Sequence, residues 1–158
     1  MTTSSDDKRV LPIAKQVHEI LTNAGVKVSY DKNLSKLENI TKTKYKSSNY
    51  LIKNSDLLIA IGGDGTMLNC SRRYGSKGVP VLGINLGKVG FLTDIAPNEI
   101  TIRLLEVIKG DFVKDKRFFL EALVLDEDEA FTALNEVVIH SGAIAQLIEF
   151  DLYIDDSF

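Results

Sequence analysis

Asp64 is the residue around which any chemistry in this chain must be argued. It stands in Gly62-Gly63-Asp64-Gly65-Thr66, directly after the apolar run Leu57 to Ile61 and before a helical pattern. An apolar strand running through a glycine turn into a helix is how α/β proteins bring backbone N–H groups up to phosphates. No lysine follows the glycines, so the turn is not a Walker loop. Nor is the glycine order that of the usual dinucleotide fingerprint. What is left is a carboxylate on a glycine turn. It either caps the helix or takes a proton from a hydroxyl attacking a phosphoryl group. Spacing leaves both open. A second carboxylate, Glu136, follows Asn135 and interrupts the apolar run Ala133 to Ile139. As strand neighbours the two would point to opposite faces. They either grip the polar rim of a ribose or an amide, or lie on the solvent side of a bulge.

The surrounding elements are read from periodicity. Val10, Ile13, Ala14, Val17, Ile20 and Leu21 recur at helical spacing, with Pro12 in the first turn and Gly25 as the stop. Met1 to Asp7 reads as a loop or disordered lead. Val26 to Tyr30 reads as a short strand. Asp31 to Asn49 is polar, with Lys32, Lys36, Lys42, Lys44 and Lys46. It is a solvated loop with one weak helix, in preference to a basic flap over an anion. Thr66 to Tyr74 is a helix ended by Gly75. Arg72 and Arg73 suit the negative end of its dipole better than a phosphate. Pro80 to Ile84 is a second buried strand leading into the glycine-bearing segment Asn85 to Asp94. Pro97 opens a helix that Gly110 closes.

Past Asp111 the pattern changes to strands: Phe118 to Leu125, Phe131 to His140, and an alternating run from Ile148 to Ile154. The acidic run Asp126 to Glu129 reads as a solvated hairpin loop. The expected fold class is therefore α/β. Residues 1–112 form a Rossmann-like domain with a parallel sheet, and residues 113–158 the start of an all-β domain.

Composition narrows the partners. The chain has 158 residues, 44% hydrophobic and 26% charged, with a net charge of −3. That charge gives no general pull toward nucleic acid. No apolar run reaches the ~18 residues of a membrane helix, and a cytoplasmic location is expected. Cys70 is the single cysteine, read as a buried inert thiol, and no metal-ligand cluster stands out.

With these residues in view, Gly62-Gly63-Asp64-Gly65-Thr66 resembles the signature of the NAD kinase family. Asn85-Leu86-Gly87-Lys88-Val89-Gly90-Phe91-Leu92-Thr93-Asp94 looks like that family's second glycine segment, and Asn135-Glu136-Val137-Val138 like its Asn-Glu motif. The resemblance implies transfer of the terminal phosphoryl group of ATP to the 2′-hydroxyl of the adenosine ribose of NAD, with Asp64 as general base. It further implies that Gly65, Phe91, Asn135 and Glu136 line the NAD site, that Gly62, Gly63 and Thr66 form the phosphate turn, and that Gln146 takes a position where relatives vary. A divalent cation, Mg or Mn, would ride on the donor phosphates, with no metal ligand named in the chain. A homo-oligomer is implied at full length. Lipid and sugar kinases sharing the glycine turn are the alternative acceptor class, and an inactive nucleotide-binding fragment is the other alternative. The family's hydrophobic first strand and most of its C-terminal β domain have no counterpart here, which reads as a fragment of a longer product.

Overall fold

The computed structural model describes residues 1–4, 6–36, 45–87, 90–124, 130–142, 147–155 and 157. Its centre is a parallel pair, β3 (Leu58–Ile61) and β4 (Val81–Ile84), in the register Leu58↔Val81 to Ile61↔Ile84. All four β3 residues are buried, which is why the run shows no polar alternation. Its two faces serve two different layers. Ile59, Ile61 and Ile84 pack with Val10, Ile13, Ala14, Val17 and Leu21 of helix α1 (Val10–Asn23) and with Ile100 and Leu104 of a helix near residue 100. Leu58 and Ala60 face the opposite way, against Leu51, Cys70, Tyr74 and Val79. Each aliphatic side chain so buried contributes about 1.5–3 kcal/mol.

Two single-residue bridges widen the sheet. Ile95 pairs with Ile84 on the far side of β4. On the open side of β3, Thr2 pairs with Ala60: its N–H donates to the Ile59 carbonyl at 2.9 Å, and its carbonyl accepts from Ile61 N–H at 3.0 Å. Asp31 N–H then donates to the Met1 carbonyl. This brings in β1 (Tyr30–Asp31) and its parallel partner β2 (Tyr45–Lys46). The polar lead is therefore not a loop over its first residues. Met1, Thr2 and Thr3 are buried, and the threonine hydroxyls are satisfied inside: Thr2 donates to Asp31 and Thr3 to the Ile61 carbonyl. Hydropathy alone does not show such a segment, because its polar atoms find protein partners instead of water.

Three more expectations change. Of the expected Val26–Tyr30 strand only Tyr30 is strand, as the first residue of β1. Val26 N–H is taken by the Leu21 carbonyl, so the segment first closes the C-terminus of α1 over Gly25 (φ +76°). The 31–49 stretch yields a 3-10 turn, Lys32–Lys36, and is followed by helix α2 (Ser48–Asn54), whose Ser47 cap accepts from Tyr50 N–H. Lys42 and Lys44 lie outside the described residues, as does the acidic run Asp126 to Glu129. Helix α3 spans Asp64–Arg73 and starts two residues before the expected Thr66. Arg73 does more than complement a dipole: it pairs with buried Asp31 at 3.5 Å and donates to Ser48. Cys70 is buried, and burial pushes its thiol up to about 12.

Helix α4 (Ile100–Lys109) follows a 3-10 turn, Pro97–Glu99, and ends at Gly110 with φ +84°, as its Pro and Gly signals predict. Beyond it, β5 (Leu120–Leu123) and β6 (Ala130–Ala133) form an antiparallel hairpin, shorter than either expected strand. The alternating run from Ile148 to Ile154 forms no strand among the described residues, only an Ile154–Ser157 bridge. Phe150, Leu152 and Ile154 are exposed. A half-buried pattern makes a strand only where a sheet stands ready to receive its apolar face.

Candidate active site

The site forms where β3 and β4 release the chain. β3 delivers Gly62, whose N–H donates to the Ile84 carbonyl at 2.9 Å and so ties the first glycine turn to the end of β4. Thr66 packs directly over Gly62. A Cβ at Gly62 would lie 2.6 Å from the Thr66 Cβ, so this position has room only for glycine. Ser4 donates to the Thr66 hydroxyl at 3.0 Å, holding the lead segment against the turn. Gly63 is the N-cap, and its carbonyl accepts from Thr66 and Met67 N–H. Gly63 and Gly65 are exposed, with open space where a side chain would begin.

Asp64 is the first residue of α3, and the bonds its carboxylate makes among the described residues run to Phe91 and Leu92, not to that helix. It reaches the second glycine turn. Phe91 N–H donates to Oδ2 at 2.9 Å and Leu92 N–H to Oδ1 at 3.1 Å. Gly90 lies against the same carboxylate: a Cβ there would fall 2.5 Å from both Cγ and Oδ2 of Asp64. The capping alternative left open by spacing thus gives way to a tie between two turns.

The second turn is braced from inside. Asn85, 6% exposed, accepts from Gly87 N–H at 2.9 Å and donates through Nδ2 to the Thr93 hydroxyl at 2.8 Å. The same hydroxyl accepts from Gly90 N–H at 3.2 Å. Asp94 accepts from Gly83 N–H at 2.9 Å. From outside, Arg9 donates to the Leu86 carbonyl at 2.8 Å while gripping Asp7. The Arg9 guanidinium holds the Asp7 carboxyl down at about 2. The sequence assigns no roles to these bracing residues. Their only signal was polar side chains flanking glycines, which does not say which carbonyl or amide each will meet.

Asp64, Gly62, Gly63, Gly65, Thr66 and the Phe91 backbone are thus brought together, with the Phe91 ring 98% exposed beside them. Asn135 and Glu136 are exposed just beyond β6. Among the described residues, no hydrogen bond joins them to Asp64 or to either turn. Gln146 lies outside the described residues. Among the described residues no group of three His, Cys, Asp or Glu converges in a way that would hold a metal, and no helix is long and apolar enough to cross a membrane.

Two braced glycine turns joined through one carboxylate lie within the stretch that known proteins share with this chain. The model of the ATP-NAD kinase N-terminal domain matches residues 3–112. The chain belongs to the NAD kinase family. The NAD kinase of Teredinibacter turnerae is 40% identical over 147 residues, covering 91% of this chain and 50% of that protein. The NAD kinase of Klebsiella pneumoniae is 36% identical over 154 residues, covering 93% and 53%. That of Tolumonas auensis is 47% identical over 109 residues, covering 67% and 37%. The chain spans about half the length, or less, of these curated NAD kinases. The crystal structure of yeast NADH kinase complexed with NADH superposes with a TM-score of 0.54 at 20% identity, covering 84% of this chain and 45% of that one. This likeness shows the fold, a mixed α/β arrangement with short parallel sheets.

Proposed function

We propose that this NAD kinase family member transfers the terminal phosphoryl group of ATP to the 2′-hydroxyl of the adenosine ribose of NAD, forming NADP and ADP. The observation that carries the reading is the Asp64 carboxylate, held at the mouth of two glycine turns by Phe91 and Leu92 N–H. In the reaction Asp64 accepts the hydroxyl proton as the ribose oxygen bonds to the terminal phosphorus. The bond from that phosphorus to the bridging oxygen breaks, and ADP departs with the electron pair. Phosphoryl transfer asks mostly for positioning and charge stabilisation, which suits a site built from backbone amides and one carboxylate. The exposed Phe91 ring offers a stacking face for a base. Asn135, Glu136 and Gln146 hold the dinucleotide from the 113–158 part, across a boundary from the 1–112 domain. A divalent cation, where bound, would supply charge neutralisation on the donor phosphates. A cytoplasmic location and assembly as a homo-oligomer at full length belong to the same reading.

The acceptor is tested with a panel. The chain is incubated with ATP and magnesium and offered NAD, NADH, diacylglycerol, sphingosine or simple sugars in turn. Phosphorylation confined to the dinucleotides is expected. A lipid or sugar product without NADP overturns the assignment.

A further inference from the structure

One buried hydroxyl stands at the centre of the second turn. Thr93 is 6% exposed, and its oxygen accepts from the side chain that opens the turn, Asn85, and from the backbone at its middle, Gly90. Asn85 in turn accepts from Gly87 N–H. One oxygen and one amide thus fix the start, middle and end of the described turn. Immediately beside that hub, Phe91 and Leu92 turn their N–H groups to the two oxygens of Asp64.

We propose that Thr93 is a positioning residue: its hydroxyl sets the shape of the second turn so that Phe91 and Leu92 N–H hold the Asp64 carboxylate where it meets the acceptor hydroxyl. The inference rests on the NAD-phosphorylation reading for its kinetic consequence and on geometry alone for its structural one. Removing the hydroxyl leaves two donors facing an apolar group, Asn85 Nδ2 and Gly90 N–H. The turn then gains by opening toward water, because the Asn85 donor is buried and, left unmet, costs more than a bond exchanged with solvent. Opening carries Phe91 and Leu92 away from Asp64. The methyl of Thr93 acts separately, through packing. It lies near Gly83, where a Cβ would meet Thr93 Cγ2 at 3.3 Å. Valine keeps that methyl and loses only the oxygen, whereas serine keeps the oxygen and loses only the methyl.

The test uses Thr93→Val and Thr93→Ser, each alone and with Asp64→Asn, in the 158-residue chain. Amide hydrogen exchange at Phe91 and Leu92 is read beside NADP formation. In Thr93→Val exchange at those two amides rises by about tenfold or more, while β3 and β4 stay protected. Turnover falls by about ten- to a hundredfold, the scale expected when a reacting group is displaced by about 1 Å. Serine restores both to within about threefold. With Asp64→Asn already in place, Thr93→Val costs no further turnover, because the group it positions is gone. Unchanged exchange at Phe91 and Leu92 overturns the inference. So does raised exchange with full turnover, or a loss that adds to that of Asp64→Asn. A wild-type chain that forms no NADP defeats the phosphorylation reading instead, and the exchange measurement still decides whether Thr93 holds the turn.

Discussion

Gly90→Ala should separate site geometry from stability. The added Cβ of Gly90→Ala would press on Asp64 Oδ1 and lie 2.5 Å from its Cγ and Oδ2, about 1 Å or more inside ordinary van der Waals contact. The obstructing group is the end of a rotatable side chain, so the clash is relieved by swinging the carboxylate aside. That motion gives up two charge-assisted bonds from Phe91 and Leu92. Asp64 is only partly buried, and water replaces them, so the net cost to folding is about 1 kcal/mol or less. The cost to turnover is larger. A reacting group misplaced by about 1 Å loses about a hundredfold in rate. The assay pairs a urea melt with NADP formation, and repeats the melt with Asp64→Ala, which removes the obstructed group. In that background Gly90→Ala should be neutral. An equal loss of stability with and without the Asp64 carboxylate would refute the reasoning, because the strain would then lie elsewhere in the turn.

Gly62→Ala should behave in the opposite way. Its Cβ would press within 2.6 Å of the Thr66 Cβ, an atom fixed to the helix backbone, and overpacking of that kind costs about 1–3 kcal/mol, read as a lowered urea midpoint. Tyr74→Phe removes the hydroxyl that donates to Asp31, which is 1% exposed. Leaving that carboxylate short of a donor should cost about 1–3 kcal/mol in the same melt, while NAD binding, some distance away, stays as it was. Burial lowers the Met1 ammonium from 8.0 to about 6, partly offset by Asp31 and Cys70. Between pH 6 and 8 the unfolded chain therefore binds more protons than the folded one, and stability should rise with pH across that window by at most about 2–3 kcal/mol. Urea midpoints that are flat or falling from pH 6 to pH 8 would contradict this.

How much of the molecule is legible in its sequence follows from where each residue's partners lie. The β3 run and the Pro97-to-Gly110 helix carry local signals: an unbroken apolar stretch, a proline at the start, a glycine at positive φ at the end. Met1 to Thr3 carries none, because its burial depends on Asp31 and on the Ile61 carbonyl, 29 and 58 residues away. The run from Ile148 to Ile154 shows the reverse case, a strong local signal that forms no strand among the described residues, where Phe150, Leu152 and Ile154 stay exposed. At the site, the sequence picks out Asp64 and both turns but leaves cap and base open. What replaces the cap is a pair of bonds spanning 27 and 28 residues. Arg9 is hidden by distance too, since it meets a backbone carbonyl 77 residues on, whereas Thr93 has near partners, one of them a backbone amide that has no identity in the sequence.

The central claim is that Asp64 takes the proton from the acceptor hydroxyl. It is tested most directly by measuring NADP formation and NAD binding side by side in the wild-type chain and in Asp64→Asn. Asparagine keeps the size of the side chain and can still accept from one of the two amides, but it is no base. The account predicts NAD binding retained and turnover lower by about 10²–10⁴-fold, the range for loss of a general base. Turnover unchanged in Asp64→Asn, with NAD still bound, would contradict it.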